Sequence, residues 1–199
     1  KPEFDKAGLI HAYLLTVASC VAADIRELGD KVGKTPKASD FEKPTWLLRL
    51  IGEKLSAAEF LYSRNLIHRE SRRVGEFFQN YDVFLTPTTA FPPLKVGELA
   101  LNAAKELQLS VLHAAPAKPL LMKALDTLAE EALAPTPNTM LFNQTGQPAV
   151  SLPLHWNAGR LPIGTQWVGR YGDEATLIRL AAQLEQARPW KDKQPPLLD

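Results

Sequence analysis

The sequence predicts an α/β protein, on three observations. Through most of the first 80 residues, apolar side chains recur every three or four positions, the period of a helix that buries one face. A run that is apolar throughout, Val83-Phe84-Leu85, then closes on Thr86-Pro87-Thr88. Such a strand is expected to be buried on both faces, as in a sheet covered by helices. Two more apolar runs, Ala149–Leu154 and Leu161–Val168, flank the polar turn Trp156–Arg160 and read as adjacent strands joined by a short loop. At 199 residues the chain suits one domain, or one large piece of a bigger one.

The first helix is expected from Phe4 to about Leu28. Ile10, Leu14, Val17, Val21, Ile25 and Leu28 share one face, and Gly29 suits the position just past the end. Gly29–Pro44 is a polar connector. Its Lys31, Lys34, Lys37 and Lys43 are interleaved with Asp30, Asp40 and Glu42, which predicts a solvated loop rather than an anion site. Thr45–Gly52 is a short apolar helix. Ser56-Ala57-Ala58-Glu59 is a capping box, and the helix it opens carries Phe60, Ile67, Val74 and Phe78 on one stripe. Arg64, Arg69, Arg72 and Arg73 on that helix are accompanied by Glu59, Glu70 and Glu76. Pairing three or four residues apart predicts an ordinary solvated face, not a phosphate patch.

After the apolar strand comes a Pro-containing connector, Phe91–Leu101. Asn102–Ala114 and Pro119–Leu133 then read as amphipathic helices, the second with Leu121, Leu125, Leu128 and Ala132 on one stripe. Asn138 is placed to cap a short helix, Thr139–Gln144, that ends before Gly146. Gly159 offers a positive-φ position in the turn between the last two strands. Asp173 caps a closing helix that runs to about Ala187, with Leu177, Leu180, Ala181 and Leu184 inward and Pro189 as its stop.

Composition excludes several function classes. A net charge of +1 makes no electrostatic case for nucleic acid. The single Cys20 rules out an internal disulfide, is expected as a small core residue, and suits a reducing, cytoplasmic setting. No uninterrupted apolar run reaches the roughly 18 residues of a membrane span. The longest, Ala12–Ala23, is broken by Thr16 and Ser19, so no membrane partner is expected. There is no Gly-rich phosphate loop, Cys/His metal pattern or dinucleotide fingerprint, so no metal or organic cofactor is expected. Ser151 sits between apolar residues with no motif that supplies a base, and its surroundings are strand rather than a nucleophile elbow. It is expected to be a structural hydroxyl bonded to backbone. Thr86, Thr88 and Thr89 are read as turn and cap residues.

One ordered string goes further. It runs Asn143-Gln144-Thr145-Gly146-x-Pro148-Ala149-x-Ser151-x-Pro153, then Gly159-x-Leu161-Pro162-x-Gly164-x-Gln166, then Gly169-Arg170, Asp173–Leu177, and Glu185-Gln186-Ala187 with Trp190. It resembles the C-terminal end of an amidase signature family enzyme. The Tyr81–Thr88 strand and the Ser-Ala opening of the preceding helix fit the same family. Asp40-Phe41-Glu42-x-Pro44-Thr45-Trp46 is similar to bacterial amidases of the 6-aminohexanoate-cyclic-dimer hydrolase type.

The resemblance implies a mixed sheet flanked by helices, incomplete in this chain. The segments would be 1–80 mainly helical, 81–90 a buried strand, 91–137 a variable helical insertion over the pocket mouth, 138–190 helix-strand-strand-helix, and 191–199 a tail. The implied reaction is hydrolysis of linear or cyclic carbon–nitrogen amide bonds by a Ser–Ser–Lys triad. The family's serines lie in a Gly/Ser-rich stretch of the N-terminal half, and no such stretch occurs here. This chain is therefore expected to carry no catalytic residue and to be inactive alone. It would contribute scaffold and one pocket wall, with Thr139, Phe142 and Asn143 as the substrate-binding candidates. The implied partners are the missing N-terminal half and a small amide substrate, and a homodimer is compatible with the family. A transamidase subunit, or a non-catalytic binding domain, are the alternative readings.

Overall fold

The computed structural model describes residues 1–98 and 100–193, with backbone alone for 128–132. The side chains of Leu128 and Ala132 in the expected stripe, and residues 194–199 of the tail, lie outside the described residues. The elements are α1 (Lys6–Val32), α2 (Lys43–Gly52), α3 (Ala57–Phe77), β1 (Val83–Pro87), α4 (Ala103–Ala114), α5 (Lys118–Leu133), α6 (Thr139–Thr145), β2 (Ala149–Trp156), β3 (Pro162–Gly169) and α7 (Glu174–Ala187). The α/β class is as the sequence predicts. The chain divides into two compact units, one of Asp5–Ile67 with Leu94–Ala132, the other of Lys1–Phe4, His68–Pro93 and the chain from Leu133 onward.

The first unit is helical. Its core gathers Leu14, Leu15 and Ala18 of α1, Leu47 and Ile51 of α2, Leu109 and Leu112 of α4, and Leu121 and Leu125 of α5. Asp5 opens α1 by accepting the Gly8 N–H at 2.9 Å. The helix runs past the expected stop. Gly29 is buried inside it, where a Cβ would sit 2.7 Å from Pro36 Cδ and 2.8 Å from the Lys34 carbonyl oxygen. Gly29 thus admits the returning chain, and Gly33, at φ 65°, makes the left-handed end. Gly52 plays a similar part between helices. A Cβ there would fall 2.2 Å from the Ala18 carbonyl oxygen, so only glycine lets α1 and α2 touch at that point.

By length and composition α1 could also cross a membrane, with 27 residues and a mean hydropathy of 1.6. Counting uninterrupted apolar residues hides this. Thr16 and Ser19 break the run, yet each donates its hydroxyl to a carbonyl one turn back, Ala12 and Leu15, at 2.8 Å. Cys20 is exposed rather than in the core. Ala18 is fully buried, and two positions along a helix turn a side chain about 200° away.

The capping box forms as read. The Ser56 N–H donates to Glu59 Oε2 at 2.8 Å and the Glu59 N–H to Ser56 Oγ at 3.2 Å. Lys118 of α5 adds its ammonium to both Glu59 oxygens at 2.6 and 2.8 Å.

The second unit carries the sheet, in the order β1-β3-β2. The resemblance implies a mixed sheet, whereas the three described strands pair antiparallel, with Val83 opposite Gly169 and Ala149 opposite Val168. The tight connection between β2 and β3 leaves no other direction for that pair. β1 is not buried on both faces. It pairs with β3 alone among the described residues, and Leu85 is 50% exposed. Phe84 meets Phe77 of α3 edge-on at 5.4 Å, which is the covered side. Leu154 is an extra residue between the pairs Pro153–Gly164 and His155–Ile163, a bulge at the proline that lacks a ladder N–H.

The turn between β2 and β3 has its positive φ at Arg160, 60°, not at Gly159. Asn157 explains this. Its carbonyl accepts the Arg160 N–H at 2.9 Å and its side-chain oxygen accepts the Leu161 N–H at 2.9 Å, which sets the turn one residue later. Arg170 bolts the end of β3 to the end of α3, donating from Nε to the Phe78 carbonyl at 3.0 Å and from Nη2 to Asp82 Oδ1 at 2.8 Å.

Glu70 corrects the solvated-face reading of α3. It is 1% exposed and meets Arg69 Nε at 3.4 Å and Arg73 Nη1 at 3.1 Å. The buried face of α3 runs through Ser63, Leu66, Glu70, Val74 and Phe78. It includes Val74 and Phe78 of the expected stripe but passes Phe60 and Ile67 by one position.

Candidate functional site

Thr139, Phe142 and Asn143 all lie on the short helix α6, in the sheet unit. The helix is held at both ends. Asn138 does not cap it with its side chain. Instead its Nδ2 donates to the Pro87 carbonyl at 3.1 Å, tying the start of α6 to the end of β1. Gly146, at φ 80°, closes it by donating its N–H to the Phe142 carbonyl at 2.9 Å. Thr139 is half-buried, and its hydroxyl donates to the Thr136 carbonyl at 3.3 Å. The Phe142 ring is 5% exposed and lies 6.2 Å from the Phe84 ring of β1. Asn143 is exposed. The structure therefore brings Thr139 and Phe142 to the β1 side of the unit, Phe142 within the core and Asn143 at the surface.

A second group lies on one face of the sheet. Thr86, Gln166 and Ser151 stand opposite one another in the β1, β3 and β2 registers. Gln166 is 5% exposed and donates from Nε2 to Thr86 Oγ1 at 3.1 Å. The hydroxyls of Thr88 and Ser151 share a hydrogen bond of 2.6 Å. Gly164 leaves the space they occupy, since a Cβ there would lie 2.7 Å from Ser151 Oγ and 2.8 Å from Thr88 Oγ1. The partner of the Ser151 hydroxyl is a side chain 63 positions away, whereas the sequence predicts a bond to backbone.

Neither hydroxyl is hydrogen-bonded to a histidine or carboxylate among the described residues. The Thr-x-Thr spacing puts Thr86 and Thr88 on one face of a strand. No local pattern says that Ser151 and Gln166 join them.

Two clefts of the helical unit are large enough to hold a small molecule. One, of about 790 Å³, is lined by Arg26, Lys34, Arg49 and Glu53 among others. The other, of about 570 Å³, includes Asp5, His11, Glu59 and Tyr62. Neither includes Thr139, Phe142 or Asn143. Among the described residues, no three His, Cys, Asp or Glu side chains gather as a metal site would require. The carboxyl of Glu59 is held down to about 2, chiefly by its hydrogen bond from Lys118 and then by those from Ser56.

Comparison with known proteins bears on what this arrangement belongs to. The family model described as Amidase matches residues 7–178. The chain is 30% identical over 188 residues to a 6-aminohexanoate-cyclic-dimer hydrolase of Pseudomonas sp. (strain NK87), covering 94% of this chain and 35% of that protein. It is 28% identical over 195 residues to a lipoamidase of Enterococcus faecalis, covering 92% of this chain and 26% of the relative. A solved structure of 6-aminohexanoate cyclic dimer hydrolase superposes with a TM-score of 0.77 at 27% identity, covering 96% of this chain and 37% of that one. A bacterial aryl acylamidase of the amidase signature family shares the fold, with a TM-score of 0.65 at 17% identity over 96% of this chain and 36% of that one. The chain spans about a third of the length of the relatives it matches most fully. With the family pattern running through 172 of its 199 residues (7–178), the chain belongs to the amidase family.

Proposed function

We propose that the chain works as part of an enzyme that hydrolyses carbon–nitrogen amide bonds, and that it supplies scaffold and one wall of the substrate pocket. The observation that carries this is the family match over residues 7–178. In this reading a serine nucleophile, a second serine and a lysine come from sequence outside these 199 residues, and backbone N–H groups there hold the oxyanion. The hydroxyl pair of Ser151 and Thr88, bonded to each other and to no base among the described residues, supports leaving Ser151 out of the chemistry. Relatives about three times as long support a catalytic portion elsewhere.

The wall is proposed at the start of α6 and the end of β1. Thr139 offers a hydroxyl there, Phe142 backs it from the core, and Asn143 presents an exposed amide. The substrate is a small linear or cyclic amide, and a cytoplasmic setting is part of the same reading.

The test is amide hydrolysis across aliphatic and aryl amides, by this chain and by a polypeptide extended to the length of the relatives. Activity in the extended polypeptide alone is expected. Turnover by the 199-residue chain would overturn the reading and return attention to Ser151.

A further inference from the structure

His113 occupies an unusual place in the helical unit. It stands in the last turn of α4, at the seam where α4 packs on α2. One side of its ring faces the backbone of Lys43, the first residue of α2. Nε2 is buried and has no hydrogen-bond partner among the described residues. Just inside this seam, Leu109 and Leu112 of α4 join Leu47 and Ile51 of α2 in the core.

We propose that His113 makes the docking of α4 on α2 sensitive to acid: neutral, it fits the seam, and protonated, it loosens it. A neutral imidazole can keep its one N–H on the other nitrogen and leave Nε2 bare. Protonation places a second N–H at Nε2, where no described residue offers an acceptor, together with a charge in a partly dehydrated position. The charged group that bears on the ring from α2 is the Lys43 ammonium, a like charge. From α4 itself, Glu106 stands 3.5 Å from that ammonium and is engaged with it.

Burial is the main cause that pushes the ring below its usual 6.5, with Lys43 adding to it. The Lys43 backbone beside the ring pulls the other way. A group depressed in the folded state contributes fully above 6.5 and loses that contribution as pH falls from 6.5 towards the folded value. His11 of α1 is exposed and stands 3.8 Å from Asp126 of α5.

Amide hydrogen exchange between pH 7.5 and 5.5, corrected for intrinsic rates, tests this on the chain as it stands. Protection in α4 is expected to drop on acidification while that of α7, in the other unit, stays level. In His113→Gln and His113→Leu the α4 profile should be flat across the same range. Variants that keep the acid-labile α4, or wild-type protection unchanged at pH 5.5, would overturn the proposal. Should neither variant fold, titration of the wild-type ring by NMR decides it. His113 is expected to stay neutral below pH 6.5, and a ring that takes up its proton at or above 6.5 refutes the mechanism.

Discussion

Two backbone positions make the sharpest case at the level of single residues. Gly52 is where α1 and α2 touch, with only 2.2 Å between a built Cβ and the Ala18 carbonyl oxygen. Backbone cannot swing aside as a flexible side chain would. Gly52→Ala should therefore push the helices apart and cost about 1–3 kcal/mol, read as a lower urea midpoint with an unchanged slope. Arg160 is the reverse case. It holds φ 60° in the turn between β2 and β3, a conformation disfavoured for any side chain with a Cβ. Arg160→Gly removes that conflict at the cost of a floppier unfolded chain, and a net gain of up to about 1 kcal/mol is expected in the same measurement. A loss would mean that the Arg160 side chain contributes more than its backbone costs. Gly159 drew notice in the sequence as the turn glycine. The side chain that sets the turn, Asn157, belongs to a type common in all loops and carries no such mark.

Among the elements, the starts of three helices were more legible than helix faces. Ser56 with Glu59, Asn102 and Asp173 all cap as their spacing requires, accepting backbone N–H groups three positions on. Glu59 does more, because Lys118 of α5 closes on it. Its carboxyl sits at about 2 in the folded chain against an ordinary 4.5. The depressed value means that its contribution is whole above pH 4.5 and drains away as pH falls from 4.5 towards 2. Thermal unfolding followed from pH 5 to pH 2.5 should show a steeper fall for the wild type than for Glu59→Gln. Equal slopes would show that Lys118 holds the carboxylate no better than water does. The face of α3 was read less well. Spacing alone allowed a stripe through Phe60 and Ile67 or one through Leu66 and Glu70, and a glutamate is a poor guess for the buried side. That Glu70 is buried beside Arg69 and Arg73 depends on what packs over the helix, which no local pattern carries.

For the molecule as a whole, the telling feature is the sheet edge. β1 is short, carries no charged residue, and leaves Leu85 half exposed with one pairing partner among the described residues. Natural edges are usually blunted by charge, bulge or cover. β2, on the other edge, has Pro153 and a bulge. The isolated chain should therefore self-associate through β1, and Leu85→Lys should shift it towards monomer in light scattering at equal concentration. A wild-type chain that is monomeric throughout would show that the edge is covered.

The α/β class, the caps at Ser56 and Asp173, the strand positions and the family were written locally, in period, capping residues and an ordered string of types. The candidate site was legible only as a place. Thr139, Phe142 and Asn143 could be named from the family string, while the row formed by Thr86, Thr88, Ser151 and Gln166 could not, because its members come from three strands. Which residues meet across a sheet is decided by register. Which face of α3 is buried is decided by packing, and so is whether Gly29 ends a helix or admits a neighbour within it. These depend on backbone brought together from distant parts of the chain, and in them the tertiary structure had the only say.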